Sequence, residues 1–529
     1  MKITFLYVGS SILAPLREAE REIERRHSLG LRLAAYNLGA PLDDARWDEV
    51  GADLKESEIV FILHVTDSEN AARLTRLLRL HAQSISAVVV INCMPELMRL
   101  TRMGRLRFAR ELAEEGGDEG EARRGRAAGL VRALGGWMGR QVHARRGQKS
   151  AKHTHYTKLV ERLPAMLRLV PSAGRLRDFK NYIQLYCYFL QPTPANVRSM
   201  ILYAVRSYGP LDAAARARLK IPPPENLPAV GLYHPDAASL FKTFDEYADW
   251  YGRRAREGRG PTLAPERTVG LLLMRTQIVS GARRHYDALL RAVEAEGLAV
   301  LPAISTFMDN REACEMFFVK ERPSSVVSSP LQASGDSRPA RKGSSRETQT
   351  TDNGPLTTDP SRVSQIVSLT GFSFVGGPAM NDSEAAVRFL SDLNRPLRSA
   401  VSLDVQTVEQ WRQSWTGLNP VQAGMQISIP EIDGATEPFV YGGMTEGGAE
   451  PVAIEDRCRR IARRLARWNR LRTEARANLR LAFVVFCFPP GKGSLGTAAE
   501  LDVFESLYET MTRLAAEGYR VEVPASAEE

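Results

Sequence analysis

Apolar and polar positions alternate in blocks along the first hundred residues. The runs KITFLYV (2–8), LRLAAYN (31–37), IVFILHV (59–65) and AVVVIN (87–92) are short and rich in Val, Ile and Leu. Between them, PLREAEREIERR, DDARWDEVGADLKE and SENAARLTRLLRLHAQ carry apolar residues at helical spacing. Strand–helix alternation of this kind predicts an α/β domain with a parallel sheet and helices on both faces. Residues 1–150 are assigned to such a flavodoxin-like domain with a basic tail. Its first turn, Val8-Gly9-Ser10-Ser11, lacks the glycine fingerprint of a phosphate loop.

The pattern then changes. Residues 151–265 read as a mainly helical connector, with YTKLVERLPAMLRLV, LRDFKNYIQLYCYFLQ and TPANVRSMILYAVRSY at helical period. The aromatic group Phe179, Tyr182, Tyr186, Tyr188 and Phe189 reads as core or as the wall of a flat hydrophobic pocket. A second alternating region, 266–450, predicts a second α/β domain. Its strands are TVGLLLMR (268–275), LAVLPAI (298–304), SQIVSLTG (364–371) and LRSAVSL (397–403). HYDALLRAVEAEG and NDSEAAVRFLSDLN fit the intervening helices, the second with a cap at Asn381 or Asp382. The stretch 321–362 holds 14 Ser/Thr, five Pro and three Gly, and reads as a disordered insertion. From 451 to 529 the chain shows a basic amphipathic helix, then an apolar run (480–488), a helix (498–517) and YRVEVP. That order predicts the start of a further, truncated α/β domain. The fold class is therefore several doubly wound parallel-sheet domains with a helical connector.

Size agrees with this: 529 residues correspond to three or four domains at about 150 residues each. No apolar run reaches the ~18 residues of a membrane helix, and MKITFLYVGSS reads as a buried strand, not a signal peptide. The five cysteines, at 93, 187, 314, 458 and 487, form no C-x-x-C pair, which fits a reducing cytoplasm. The net charge of +9 is unevenly spread, and 122–158 carries ten Lys/Arg and no Asp/Glu. That stretch reads as a solvated loop or as a footprint for an anionic partner, although no nucleic-acid motif accompanies it. His153 and His155, within it, have metal-like spacing but no further ligands.

One loop raises a question of chemistry. In FPPGKGSLGTAAELDVF, Gly491, Gly493 and Gly496 fit G-x-G-x-x-G after an apolar run. Two prolines intervene, no dinucleotide domain follows, and Lys492 is followed by Gly493 where a Walker A loop needs Ser or Thr. A glycine-rich loop at a helix start still suits another anion, such as a carboxylate.

The loop and its flanks resemble the large, porphyrin-binding H subunit of magnesium chelatase. NCMPELMRLTRMG (92–104), GLYHPD (231–236), RHYDALLRAVEAEGLAVLPAI (284–304), SLTGFSFVGGPAMND (368–382) and IPEIDGATEPFVYGG (429–443) resemble segments of that family in the same order. The cobaltochelatase large subunit is related, but its counterpart of the loop usually lacks the PP-x-K-G-x-x-G-T-A pattern. The resemblance implies insertion of Mg²⁺ into protoporphyrin IX in chlorophyll or bacteriochlorophyll synthesis, with ATP bound and hydrolysed by partners, an AAA+ ATPase and its co-subunit. Family members run much longer and carry a His/Glu segment of the H-F-G-T-H-G type in their C-terminal half. Its absence here implies an N-terminal part that is inactive alone, with the catalytic residues in a C-terminal half carried elsewhere. A non-catalytic tetrapyrrole carrier or regulatory scaffold, or a cobaltochelatase large subunit, is the alternative. The implied location is cytoplasmic, with peripheral contact to a photosynthetic membrane left open.

The implied chemistry needs a base for two pyrrole protons, oxygen ligands for Mg²⁺, and cationic or amide partners for propionates. In family-like segments, His234, His285 and Tyr286 are the porphyrin-binding candidates, together with Lys492, Ser494 and Thr497 of the loop. Asp236, Glu431 and Asp433 are the metal candidates. Each histidine also reads as a hydrogen-bonded structural residue, and each carboxylate as a turn or capping group.

Overall fold

The computed structural model describes residues 1–39, 42–65, 67–91, 93–108, 174–225, 227–305, 309–320, 361–377, 381–494, 496 and 500–529. The basic stretch 122–158 lies outside the described residues, as do His153, His155 and most of the 321–362 segment.

Two sheets organise the chain. The first comprises β1 (Lys2–Tyr7), β2 (Arg32–Asn37), β3 (Ile59–Leu63), β4 (Ala87–Ile91), β5 (Arg102–Met103) and β6 (Leu106–Arg107). Their order is β2-β1-β3-β4-β5-β6, with the first four parallel. The second comprises β7 (Gly231–Leu232), β8 (Thr268–Met274), β9 (Ala299–Ser305), β10 (Gln365–Ser368), β11 (Leu397–Leu403), β12 (Thr436–Gly443) and β13 (Val452–Ala453). Its order is β13-β12-β11-β10-β8-β9-β7, parallel through the five central strands. Both sheets thus reverse strand order beside their first long strand, the doubly wound arrangement that places a crevice at the carboxyl edge.

The period-2 geometry of strands explains the first sheet's covering layers. Ile3, Phe5, Ile59, Phe61, Val89 and Ile91 face one side and pack with Leu16, Ile23, Tyr182, Met200 and Val205. Leu6, Val60, Ile62, Val88 and Val90 face the other and pack with Trp47, Leu54, Leu74 and Leu78. The helices Gly174–Phe189 and Pro194–Tyr208 therefore close the first sheet as part of one lobe, and the aromatic stripe is its core. Tyr182 is fully buried and donates its hydroxyl to the carbonyl of Val90 at 2.7 Å.

The second lobe has its own core, built on Leu271, Leu273, Val300, Leu301, Ile366 and Ala400. Asp382 caps the helix Ser383–Leu393, accepting from the amide of Ala385. The basic helix Glu455–Thr473 buries Cys458, Ile461, Ala462 and Leu465 in this core, so it belongs to the second lobe and turns its arginines outward. β12 and β13 meet so closely that a Cβ at Gly442 would lie 2.4 Å from the carbonyl of Val452.

The C-terminal expectation needs correction. Residues 480–488 and 519–524 form no strand, because among the described residues no sheet edge offers them a ladder. The apolar run is left in solvent, with Val484 96% and Phe486 67% exposed. The helix Val503–Ala516 has Asp502 as its cap but buries no residue.

Candidate functional site

The candidate residues fall into four separate settings. His234 follows the edge strand β7 and is buried. Its Nδ1 accepts from the amide of Asp236 at 3.1 Å, and its Nε2 lies 3.4 Å from Glu294 Oε1. Arg254 grips both Glu294 oxygens at 2.7 and 2.8 Å, and Tyr251 donates to Oε1 at 2.6 Å. Asp236 is held in turn by Arg254 at 3.1 Å and Arg291 at 2.9 Å. Burial works to raise the Glu294 carboxyl, but hydrogen bonds from His234, Arg254 and Tyr251 outweigh it and hold it below its ordinary value. His234 and Asp236 thus sit in a closed charge network, where their nitrogens and oxygens already have partners.

His285 and Tyr286 begin the helix Arg284–Ala295, whose far end carries Glu294. His285 and Glu294 are nine positions apart, about 14 Å along the helix axis, so the two histidines do not share a site. His285 is buried against Tyr286 and stacks on Tyr441, with centroids 4.0 and 5.7 Å away. Burial pushes its pKa down to about 3, which keeps the ring neutral. Its Nδ1 has no hydrogen-bond partner among the described residues. Tyr286 donates to the carbonyl of Leu369 at 3.3 Å.

The metal candidates are likewise dispersed. Asp433 is fully buried, and its Oδ2 accepts from Ser373 Oγ at 2.9 Å and the amide of Phe374 at 2.7 Å. It anchors the loop that follows β10. Glu431, two residues earlier, is exposed. Among the described residues no group of three or more His, Cys, Asp or Glu converges on a common point.

The glycine-rich loop is held differently. The amide of Ser494 donates to the carbonyl of Gly491 at 3.0 Å, and that of Gly496 to Phe486 at 2.9 Å. Gly496 has φ +71°, in the left-handed region that favours glycine. Gly491 and Gly493 are exposed. The Lys492 side chain and Thr497 lie outside the described residues.

A fifth group was not singled out in the sequence. The carboxyl edges of the two sheets face one another. Ser10, after β1, donates to Asp404 Oδ1, after β11, at 2.9 Å, and Gln277 Nε2 donates to Ser10 Oγ at 2.6 Å. His64 follows β3 with φ +58° and is exposed at the same edge of the first sheet. The usable signal was positional: each polar residue closely follows an apolar strand of a doubly wound sheet, where such folds present their side chains.

A family profile described as CobN/Magnesium Chelatase matches residues 186–529, more than half of the chain. The chain belongs to this family. A second profile, described as a domain of unknown function (DUF3479), matches residues 2–183. Among relatives of this CobN/magnesium chelatase family member, the chloroplastic magnesium-chelatase subunit ChlH of Oryza sativa subsp. indica is 29% identical over 532 residues, covering 100% of this chain and 34% of that protein. The magnesium-chelatase H subunit of Rhodobacter capsulatus is 30% identical over 509 residues, covering 93% of this chain and 36% of that protein. The aerobic cobaltochelatase subunit CobN of a Sinorhizobium species is 26% identical over 363 residues, covering 65% of this chain and 24% of that protein. The chain therefore spans about a third of the length of the magnesium-chelatase relatives it matches.

Proposed function

We propose that this chain serves as the porphyrin-binding part of a magnesium-chelatase H polypeptide, which inserts Mg²⁺ into protoporphyrin IX for chlorophyll or bacteriochlorophyll synthesis. The observation that carries this reading is the end-to-end match to magnesium-chelatase H subunits, set against a cobaltochelatase match that covers less of the chain at lower identity. Insertion draws on ATP hydrolysed by an AAA+ partner with its co-subunit, and on a polypeptide equivalent to the remaining two thirds of the relatives. The assembly works in the cytoplasm, with peripheral contact to a photosynthetic membrane as an option. Among the described residues no helix is long and apolar enough to cross one.

The settings of the candidates divide their roles. The exposed loop at 491–497 is the proposed contact for the macrocycle, with Lys492, Ser494, Thr497 and backbone amides meeting propionates. Glu431, being exposed, is the carboxylate that could meet hydrated Mg²⁺ as substrate. His234, Asp236, His285, Tyr286 and Asp433 are proposed to hold the second lobe together instead of meeting the macrocycle, because their polar groups are buried or already paired.

The test is an insertion assay that combines the chain with the remainder of an H polypeptide, the two partner subunits, ATP and protoporphyrin IX. Fluorescence of the magnesium product is expected with Mg²⁺, and none when the chain is assayed alone. Product with Co²⁺ but not Mg²⁺ would instead support the cobaltochelatase reading. No product with either metal would leave the carrier or scaffold reading.

A further inference from the structure

Among the described residues the two lobes meet thinly. Their hydrophobic clusters are separate, and no described secondary-structure element of one packs broadly against a described element of the other. Arg275 of the second lobe holds the carbonyls of Leu227 and Pro228, at the proline-rich linker between them. Beyond that linker, the hydrogen bonds between the lobes among the described residues both end on one side chain, Ser10. We propose that the lobes open and close about the linker near 228–230, with Ser10 as the latch that holds the crevice between the two carboxyl edges shut.

Three observations make the closed state one that opening can rival. Closure leaves Gln277 Oε1, on a buried side chain, without a hydrogen-bond partner, and water entering an opened crevice would satisfy it. Closure also half-buries the Asp404 carboxylate. Ser10 faces it from the first lobe, while Tyr286 and Tyr441 feel its charge from the second. No cation among the described residues offsets its desolvation, which pushes its carboxyl up to about 6 in spite of the Ser10 bond. Finally, the backbone beside Ser10 is not hemmed in at Gly9, where an added Cβ would meet nothing within 4 Å. Small interfaces between lobes of one chain are where hinge motions occur. The consequence is control of access: opening exposes Ser10 and Asp404 at the carboxyl edges, where doubly wound sheets hold their ligands.

The sign of the pH dependence follows from Asp404. The closed state raises its pKa relative to an open, hydrated carboxylate, so closure binds a proton. Closure is therefore strengthened as pH falls through about 6 and weakened above it.

The test is hydrogen exchange and small-angle scattering on the full 529-residue chain and on Ser10→Ala, with Gln277→Ala as a second, independent variant. Ser10→Ala is expected to speed amide exchange in 9–12 and 404–407 together by about tenfold or more, the effect of losing the hydrogen bonds to Asp404 and from Gln277. The radius of gyration should rise while the thermal transition stays cooperative. The wild type should likewise be more open at about pH 7.5 than at about pH 5. Unchanged exchange and scattering in both variants would overturn the proposal. So would faster exchange in only one of the two segments, because a latch must release both sides at once.

Discussion

The second lobe and the segment from 480 to 516 carry the same kind of sequence, yet they end in opposite states. Each has a β-rich apolar run followed by an amphipathic helix. In the second lobe, β8 and the helix Arg284–Ala295 are buried along their apolar faces, with Leu271, Leu273, Leu289 and Leu290 all fully enclosed. In the segment, Phe483, Val484, Phe486 and Phe488 stand in solvent and the helix Val503–Ala516 buries nothing. A strand is a relation between chains of hydrogen bonds, not a property of a run. β8 lies between β9 and β10, whereas 480–488 has no ladder among the described residues. Packing energy is therefore concentrated in the lobes, and apolar surface available for recognition is concentrated in the segment.

Substitutions should separate the two regions sharply. Glu294→Gln should be among the most damaging, because it leaves the buried Arg254 without its bidentate partner. A loss of about 3–5 kcal/mol in chemical denaturation is expected. Leu271→Ala, in the centre of the second sheet, should cost about 2–5 kcal/mol.

Acid should sharpen the contrast. The His285 pKa falls to about 3 in the folded state, against about 6.5 when unfolded, so the unfolded chain alone takes the proton in between. Stability should therefore be fully present above about 6.5 and fall as pH drops toward 3, by up to about 1.4 kcal/mol per pH unit. Glu294, held below its ordinary value, adds its own loss at lower pH, as it becomes protonated. His285→Phe should flatten the upper part of that slope in a denaturation series.

The smallest effect on stability is expected in the segment. Val484→Ser combined with Phe486→Ser should change it by no more than about 0.5 kcal/mol and leave the acid slope as it is. The same pair should raise the concentration at which the chain self-associates in sedimentation. A loss from this pair as large as that from Leu271→Ala would erase the contrast.

Much of the fold was legible because its central strands are buried on both faces, which writes them as short unbroken apolar runs. β3, β4 and β8 are of this kind. β12 is not: its sequence TEPFVYGG carries a proline and two glycines, and the tight approach to β13 that explains Gly442 is a tertiary fact. The run at 480–488 reads as a strand by the same rule and misleads, since nothing local reveals a missing neighbour. Site chemistry was less legible still. The partners that occupy His234 include Glu294, 60 residues away, and Ser10 meets Asp404 across 394 residues. Spacing along the chain carries no trace of such pairs.

The proposed division of labour, with buried polar groups holding the second lobe and an exposed loop meeting the macrocycle, is tested most directly by a fluorescence-quenching titration of the full chain with deuteroporphyrin. Wild type, Lys492→Ala and His285→Phe would be compared. Saturable quenching is predicted, weakened by Lys492→Ala and little changed by His285→Phe. Quenching that never saturates, or that is lost in His285→Phe while Lys492→Ala binds as wild type, would contradict the account.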